Sequence, residues 1–247
     1  MPGPLHGGAT LALPAQAAQH VARVLRLAPG DALTLFDGRG GEFPATVEAV
    51  SGGAVRVATG APRGIERESP LRITLLQALA RGEKMDWVVQ KATELGVARL
   101  LPVACERSVV QLDGGRADKR LAHWRGVVVA ACEQCGRNQL PPVLPPAGLD
   151  AACAAVADVP LRLLLAPGAA RTLAAAARAA AAPGQTWPGE VALLVGPEGG
   201  LTETEAGLAR RAGFEAVALG PRVLRTETAA LAALALLQGL AGDLGDA

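Results

Sequence analysis

At 247 residues the chain is long enough for one large domain or two smaller ones. Half of it is apolar, yet no run approaches the roughly 18 uninterrupted apolar residues of a membrane span, so no spanning helix is expected. The formal net charge of +1 speaks against a general nucleic-acid binder.

The charge is unevenly spread. Residues 71–150 carry eleven basic against eight acidic side chains, and residues 151–247 carry seven against nine, so a polyanion is best met by the middle segment. The start, "MPGPLHGGATLALP", has no basic stretch leading into an apolar core; with that and reduced cysteines, a cytoplasmic location is expected. The chain has 21 arginines against three lysines and a single asparagine, a bias that resembles a high-GC coding sequence.

The first 70 residues read as β-rich. "AQAAQHVARVLRL" is a short amphipathic helix, and "DALTLFDG", "GEFPATVEAV" and "GAVRVATG" are short strands parted by glycine turns, the spacing of a small barrel or sandwich. The charged bridge "RGIERESP" marks a boundary that separates residues 1–69 from residues 70–247.

Beyond it strands and helices alternate. "LRITLLQAL" is read as a continuous apolar strand, and "RGEKMDWVVQKATELG" is a helix burying Met85, Val88, Val89, Ala92 and Leu95 and stopping at Gly96. "VARLLPVA" is the next strand, followed by a long helix that Asp118 can cap, then by a proline-rich connector. "PLRLLLAP" is a strand, an alanine-rich helix covers about 169–182, and "EVALLVGP" and "EAVALGP" are two more strands. Such strands predict an α/β fold with a parallel sheet covered on both faces.

The long helix carries Cys132 and Cys135 in a C-x-x-C, the spacing of a redox couple or half a zinc site. No second half-site accompanies it, because Cys105 and Cys153 are isolated and His6, His20 and His123 are scattered. Leu121, Trp124, Val128, Ala131, Cys132 and Cys135 instead trace one face of a helix, which makes the thiols small hydrophobes on a buried stripe and predicts no metal.

Two C-terminal segments repeat one design of strand, Gly-Pro, loop and helix. In "LLVGPEGGLTETE", Thr202 and Glu205 form a capping box; in "VALGPRVLRTETAALAAL", Thr226 can cap the last helix. Ligands of parallel α/β sheets bind beyond the C-terminal ends of strands, where these loops lie. Neither loop is G-x-G-x-x-G, and no G-x-x-x-x-G-K-[ST] occurs. Glu198 stands where a pyrophosphate needs a donor, and a carboxylate there suits a cationic or zwitterionic ligand such as an adenosyl sulfonium better than NAD or ATP.

"RGEKMDWVVQKATELGV", "ACEQCGRN", "LLVGPEGGLT" and "LGPRVLRTETAAL", with "HVARVLRL", "LFDG" and "RESPL" before them, resemble the signature blocks of the RsmE family of 16S rRNA uracil-N3 methyltransferases, of the SPOUT class. The resemblance implies a PUA-like, RNA-binding β-barrel over residues 1–69 and a trefoil-knotted SPOUT methyltransferase domain over residues 70–247. It implies a homodimer that holds S-adenosyl-L-methionine in the knot loops and methylates one uridine in the decoding region of 16S rRNA, on the assembled small subunit. The chain departs from the family at its start, where "MPGPLHGG" offers no arginine before Arg23.

On that resemblance the cofactor residues are Leu165, Ala166, Pro167, Gly196, Pro197, Glu198, Gly199, Gly200, Leu219, Gly220, Leu224, Arg225, Thr226, Glu227, Thr228 and Ala229, mainly through their backbone. Methylation at uracil N3 develops negative charge on O2 and O4, so a fixed cation and a proton acceptor are wanted. Arg225 is the candidate cation and Glu198 or Glu227 the candidate base, against the alternative that Arg225 merely pairs with Glu227 to shape the loop. RNA contacts fall to Arg23, Arg26, Arg81, Lys84, Lys91, Gln134, Arg137, Asn138 and Arg222. With six aromatics, base-stacking platforms are not expected. Two rival functions are a non-catalytic ribosome-binding factor and a nicotinamide-dependent oxidoreductase, and the latter lacks its pyrophosphate loop.

Overall fold

Alternation of buried and exposed side chains builds the first sheet. In β3 (Phe43–Ser51), Phe43, Ala45 and Val47 turn inward while Thr46 and Glu48 face out, and a bulge between Val47 and Ala49 shifts the register. β3 pairs antiparallel with β2 (Ala32–Leu35) and β4 (Ala54–Thr59), and β1 (Thr10–Ala12) adds to β4, giving the order β1-β4-β3-β2. Gly52 and Gly53, both at positive φ, make the tight turn between β3 and β4. α1 (Ala15–Gln19) continues through His20–Val24 in the wider π geometry and stops there, short of the expected Leu27. It lays Ala18 and Val21 on a core of Leu13, Leu35, Phe43, Val47, Val55 and Val57.

This computed structural model describes residue 1 and residues 3–108, 115–180, 187 and 189–245. The chain divides into two compact units, one of Met1–Glu68 with Gly136–Leu140 and one of Ser69–Cys135 with Pro141–Ala247. The segment Gly136–Leu140, which the sequence alone leaves in the second half, is built into the first unit. Arg137 forms an ion pair with Glu68, Asn138 Nδ2 donates to the Ile65 carbonyl (2.6 Å), and Gln139 Nε2 donates to Glu66 (2.6 Å).

The second unit is a six-stranded sheet with every pair parallel. Its strands are β5 (Arg72–Ala78), β6 (Arg99–Ala104), β7 (Ala147–Gly148), β8 (Leu161–Leu165), β9 (Glu190–Val195) and β10 (Glu215–Val217), in the order β10-β8-β9-β5-β6-β7. From Ile73 to Ala78 every residue of β5 is buried, as a strand covered on both faces requires. Each fully buried leucine there contributes about 1.5–3 kcal/mol. On one face Leu76, Leu101, Leu164 and Leu194 pack with α4 (Leu149–Ala154) and α6 (Glu203–Arg211). On the other, α7 (Thr226–Ala241) lies against β5 and β9 and packs with α2 (Lys84–Glu94) and α5 (Leu173–Ala180), while α3 (Gly115–Cys135) packs on α2.

Several boundaries differ from expectation. Helix α2 ends at Glu94 and Gly96 takes φ +76°, as foreseen, but Thr93 rather than Leu95 completes its buried face. Asp118 lies in the first turn of α3 rather than at its cap. Residues 169–172 precede α5 instead of joining it, since Thr172 bridges to Ala218, and residues 181 and 182 of the expected helix lie outside the described residues. The connector after α3 holds β7 and α4, neither of which was anticipated. Among the described residues no helix is long and apolar enough to cross a membrane.

Candidate functional site at the C-terminal edge of the parallel sheet

Strand register places the site. Val195 of β9 stands opposite Gln77 of β5 on one side and Leu165 of β8 on the other, and Leu165 stands opposite Val217 of β10. Four strands therefore end in one row. The backbone leaves that row into Ala166–Pro167, Gly196–Gly200 and Ala218–Gly220, so three segments far apart in sequence open at one edge of the sheet.

The loop after β9 is tightly held. Gly200 N donates to Pro197 O (2.9 Å), and Arg107 Nη1 donates to Gly199 O (3.0 Å). A Cβ on Gly199 would sit 3.2 Å from the Cβ of Arg107, so that close approach is one only glycine makes comfortably. The capping box forms as expected: Thr202 accepts from Glu205 N, and Glu205 accepts from Thr202 N. Glu205 also accepts from Glu106 N (2.7 Å), which joins the exit of β6 to the same loop.

Charge gathers beside it. Lys84 Nζ lies 3.0 Å from Glu198 and 3.6 Å from Glu227, and Glu198 also accepts from Arg81 N (3.3 Å). Partial burial pushes the Glu198 carboxyl up, but hydrogen bonds from Lys84 and from the Glu198 and Arg81 backbone outweigh it and hold its pKa below the ordinary value. The hydrogen bond to Glu198 raises Lys84 in turn. Glu198 thus sits as a stabilised negative charge beside Lys84, which makes it a weaker proton acceptor than a free carboxylate. Lys84, expected on RNA, is engaged with these two carboxylates.

The start of α7 joins the row by hydrogen bonds. Thr226 Oγ1 donates to Gly196 O (2.7 Å) and accepts from Gln77 Nε2 (3.0 Å). Thr226 is thus the first residue of the helix, and Arg225 occupies the cap position without a side-chain cap bond. The Arg225 guanidinium is exposed and, among the described residues, has neither a hydrogen bond nor an ion pair. The suggested Arg225–Glu227 pair is absent because Glu227 faces Lys84 instead.

The other RNA candidates divide by exposure. Arg23, Arg26, Arg81, Gln134 and Arg222 are exposed. Arg137 and Asn138 are buried, tied to Glu68 and Ile65, and Lys91 pairs with Glu94 (2.8 Å) over the Trp87 ring. On α3, Leu121, Trp124, Val128, Ala131 and Cys132 are buried as read, with Cys135 partly so. Burial, aided by the charge of Glu205, pushes the Cys105 thiol up to about 12, so it stays protonated. Among the described residues no group of three His, Cys, Asp or Glu is arranged to hold a metal ion.

Gly200 and Gly220, both at positive φ, have open space where a side chain would start, so a ligand can approach the backbone there. A pyrophosphate would meet Glu198 instead of a donor.

Comparison with known proteins bears on that fit. Residues 67–238 match the family described as RNA methyltransferase domain, and residues 13–59 match the RNA methyltransferase PUA domain. The ribosomal RNA small subunit methyltransferase E of Mycobacterium bovis is 37% identical over 223 residues, covering 87% of this chain and 80% of its own. The chain belongs to the RsmE family of RNA methyltransferases. Two solved structures agree: a Legionella pneumophila protein in complex with the bound cofactor SAM (43% identity, TM-score 0.89, covering 98% of this chain and 97% of its own) and an RsmE from Neisseria gonorrhoeae bound to S-adenosyl methionine (40%, 0.86, 99% and 97%).

Sequence reasoning about this RsmE-family chain missed two residues at the edge. Gln77 was legible as the one long uncharged polar side chain in "LRITLLQAL". Arg107 carried no local signal, since its link to Gly199 depends on how β6 and β9 flank β5.

Proposed function

We propose that the chain transfers a methyl group from S-adenosylmethionine to N3 of a uridine in the decoding region of 16S rRNA, on the assembled small subunit in the cytoplasm. In this reading the second unit is a SPOUT domain whose glycine loops pass through a trefoil knot, the first unit is a PUA-like barrel that contacts RNA, and the active form is a homodimer. The observation that carries it is the row of four strand ends, Gln77, Val195, Leu165 and Val217, which opens three glycine- and proline-bearing segments at one edge. Similar proteins solved with SAM support the choice of ligand.

The residues that would hold the cofactor are Leu165–Pro167, Gly196–Gly200, Leu219–Gly220 and Leu224–Ala229, chiefly by backbone groups. When bound, S-adenosylmethionine supplies an electrophilic methyl group. Glu198, kept ionised by Lys84, gives the edge a negative charge that tolerates a sulfonium and repels phosphate. Arg225, without an internal partner among the described residues, has its guanidinium available to the uracil oxygens as the ring loses its N3 proton. The N3 proton passes to Glu198 or Glu227, each weakened as a base by Lys84, so the reaction rests chiefly on stabilising the uracil anion; N3 then takes the methyl group as S-adenosylhomocysteine departs. Arg23, Arg26, Arg81, Gln134 and Arg222 offer exposed groups to RNA.

Calorimetric titration tests the reading. S-adenosylhomocysteine is expected to bind and NAD not to. Tighter binding of NAD would overturn the cofactor, and binding of neither, with intact affinity for small subunits, would turn the function to a non-catalytic ribosome factor.

A further inference from the structure

Gln77 is the anomaly of the parallel sheet. It is fully buried near the end of a central strand whose other inward residues are Ile73, Thr74, Leu75, Leu76 and Ala78. Its amide is half used. Nε2 donates to Ala78 O (3.0 Å) and Thr226 Oγ1 (3.0 Å), whereas Oε1 is buried and has no hydrogen-bond partner among the described residues. An unmet buried acceptor opposes folding, so the fold alone supplies no reason to keep glutamine here. Residues that break a local rule in this way concentrate at functional sites.

The orientation of the bonds indicates what Gln77 does. Ala78 O can only accept, which fixes the amide with its nitrogen toward that carbonyl and toward Thr226. The Thr226 hydroxyl, accepting from Gln77, must then turn its own hydrogen to Gly196 O, 2.7 Å away. The result is a directed chain from Gln77 N–H through Thr226 O–H to the Gly196 carbonyl, each bond polarising the next. It spans β5, the first residue of α7 and the first residue of the loop after β9. Arg225 directly precedes Thr226 and Glu198 follows Gly196 by two, so the chain pins both catalytic candidates by their backbones.

We propose that Gln77 is a positioning residue for methyl transfer: through Thr226 it holds the start of α7 against Gly196 and so sets the spacing of the two glycine loops. This rests on the reading of that edge as the S-adenosylmethionine site. Leucine has nearly the shape of glutamine and removes the unmet Oε1 along with the two bonds that Nε2 donates, so these effects offset and Gln77→Leu is expected to melt within a few degrees of the wild type. Affinity for S-adenosylhomocysteine is nevertheless expected to fall about tenfold, with a further loss in single-turnover methylation of small subunits, since small misplacements at a reacting centre carry large rate effects.

The test measures melting temperature, calorimetric affinity for S-adenosylhomocysteine and single-turnover rate on the full-length protein. Thr226→Val removes the middle of the chain and is expected to repeat the functional loss; Thr226→Ser keeps the hydroxyl and is expected to restore most of it. Those two variants decide the matter if Gln77→Leu fails to fold. A Gln77→Leu protein that loses melting temperature but binds and methylates normally would overturn the proposal, as would equal behaviour of Thr226→Val and Thr226→Ser. A wild type that binds no S-adenosylhomocysteine would remove the cofactor reading and this inference together, which separates that failure from the others.

Discussion

The loops after β9 and β10 both carry Gly-Pro and both lead to a helix, yet they are held differently. In the first, Glu198 is paired with Lys84, the Gly199 carbonyl is taken by Arg107, a turn closes from Pro197 to Gly200, and a complete capping box starts α6. In the second, Arg222 and Arg225 have no partner among the described residues, Val223 is 79% exposed, and α7 starts without a side-chain cap. One loop is a preformed cradle and the other presents its polar groups outward. In the proposed reaction, the cradle serves the cofactor and the open loop serves the base being methylated.

If that division holds, the open loop carries the largest rate effect. Arg225→Ala is expected to slow single-turnover methylation by about 100-fold, the scale of losing one preorganised donor, with S-adenosylhomocysteine affinity little changed. Arg225→Lys is expected to restore only part, because a point charge cannot copy a planar fork. A folded Arg225→Ala protein that methylates at the normal rate would take Arg225 out of the mechanism.

The cradle should respond the other way, through binding. Gly199→Val would push a side chain into Arg107, and we expect about tenfold weaker S-adenosylhomocysteine binding, an overpacking effect of roughly 1–3 kcal/mol. Unchanged affinity would show that the contact with Arg107 has no part in holding the ligand. Thr202→Ala opens the capping box and is expected to lower stability by about 1 kcal/mol, read as a drop in melting temperature.

Acid and base probe the charges of the cradle. Glu198 has a lowered pKa, so its contribution is present above its ordinary value of about 4.3 and is lost as pH falls through the lower folded one. Lys84 has a raised pKa, so its contribution is present below about 10.4 and is lost as pH rises through the higher folded one. Affinity for S-adenosylhomocysteine is therefore expected to stay flat from roughly pH 6 to 9. An inflection in that range that vanishes in Glu198→Gln would show Glu198 titrating there and strengthen its case as the proton acceptor. The smallest effect is expected from Cys132→Ala with Cys135→Ala: a packing loss on the order of 1 kcal/mol and a methylation rate within about twofold. Abolished activity in the folded double variant would defeat the apolar reading of the C-x-x-C.

Much of this contrast was legible in the sequence where the signal is local. Thr202 and Glu205 announce their box three residues apart, and the unbroken apolar run "VALLV" announces a covered strand. The thiols were legible from helical period, since Cys132 stands eleven residues from Leu121 on the same stripe. Strand order was not, because the period of a strand reports what covers it and not which strand lies beside it. Lys84 was therefore read as a surface charge for RNA, when folding brings it to Glu198, 114 residues away. β1 and β7 escaped because three and two residues are too few to show a pattern; β1 is defined by its pairing with β4.

The return of Gly136–Leu140 into the first unit bears on how this architecture can be rearranged. A first unit cut out as residues 1–68 would lose Arg137 from Glu68, Asn138 from the Ile65 carbonyl and Gln139 from Glu66. Cut at a single point, the first unit would thus leave five of its own residues behind in the other piece, so separating it cleanly means joining residues 1–68 to residues 136–140.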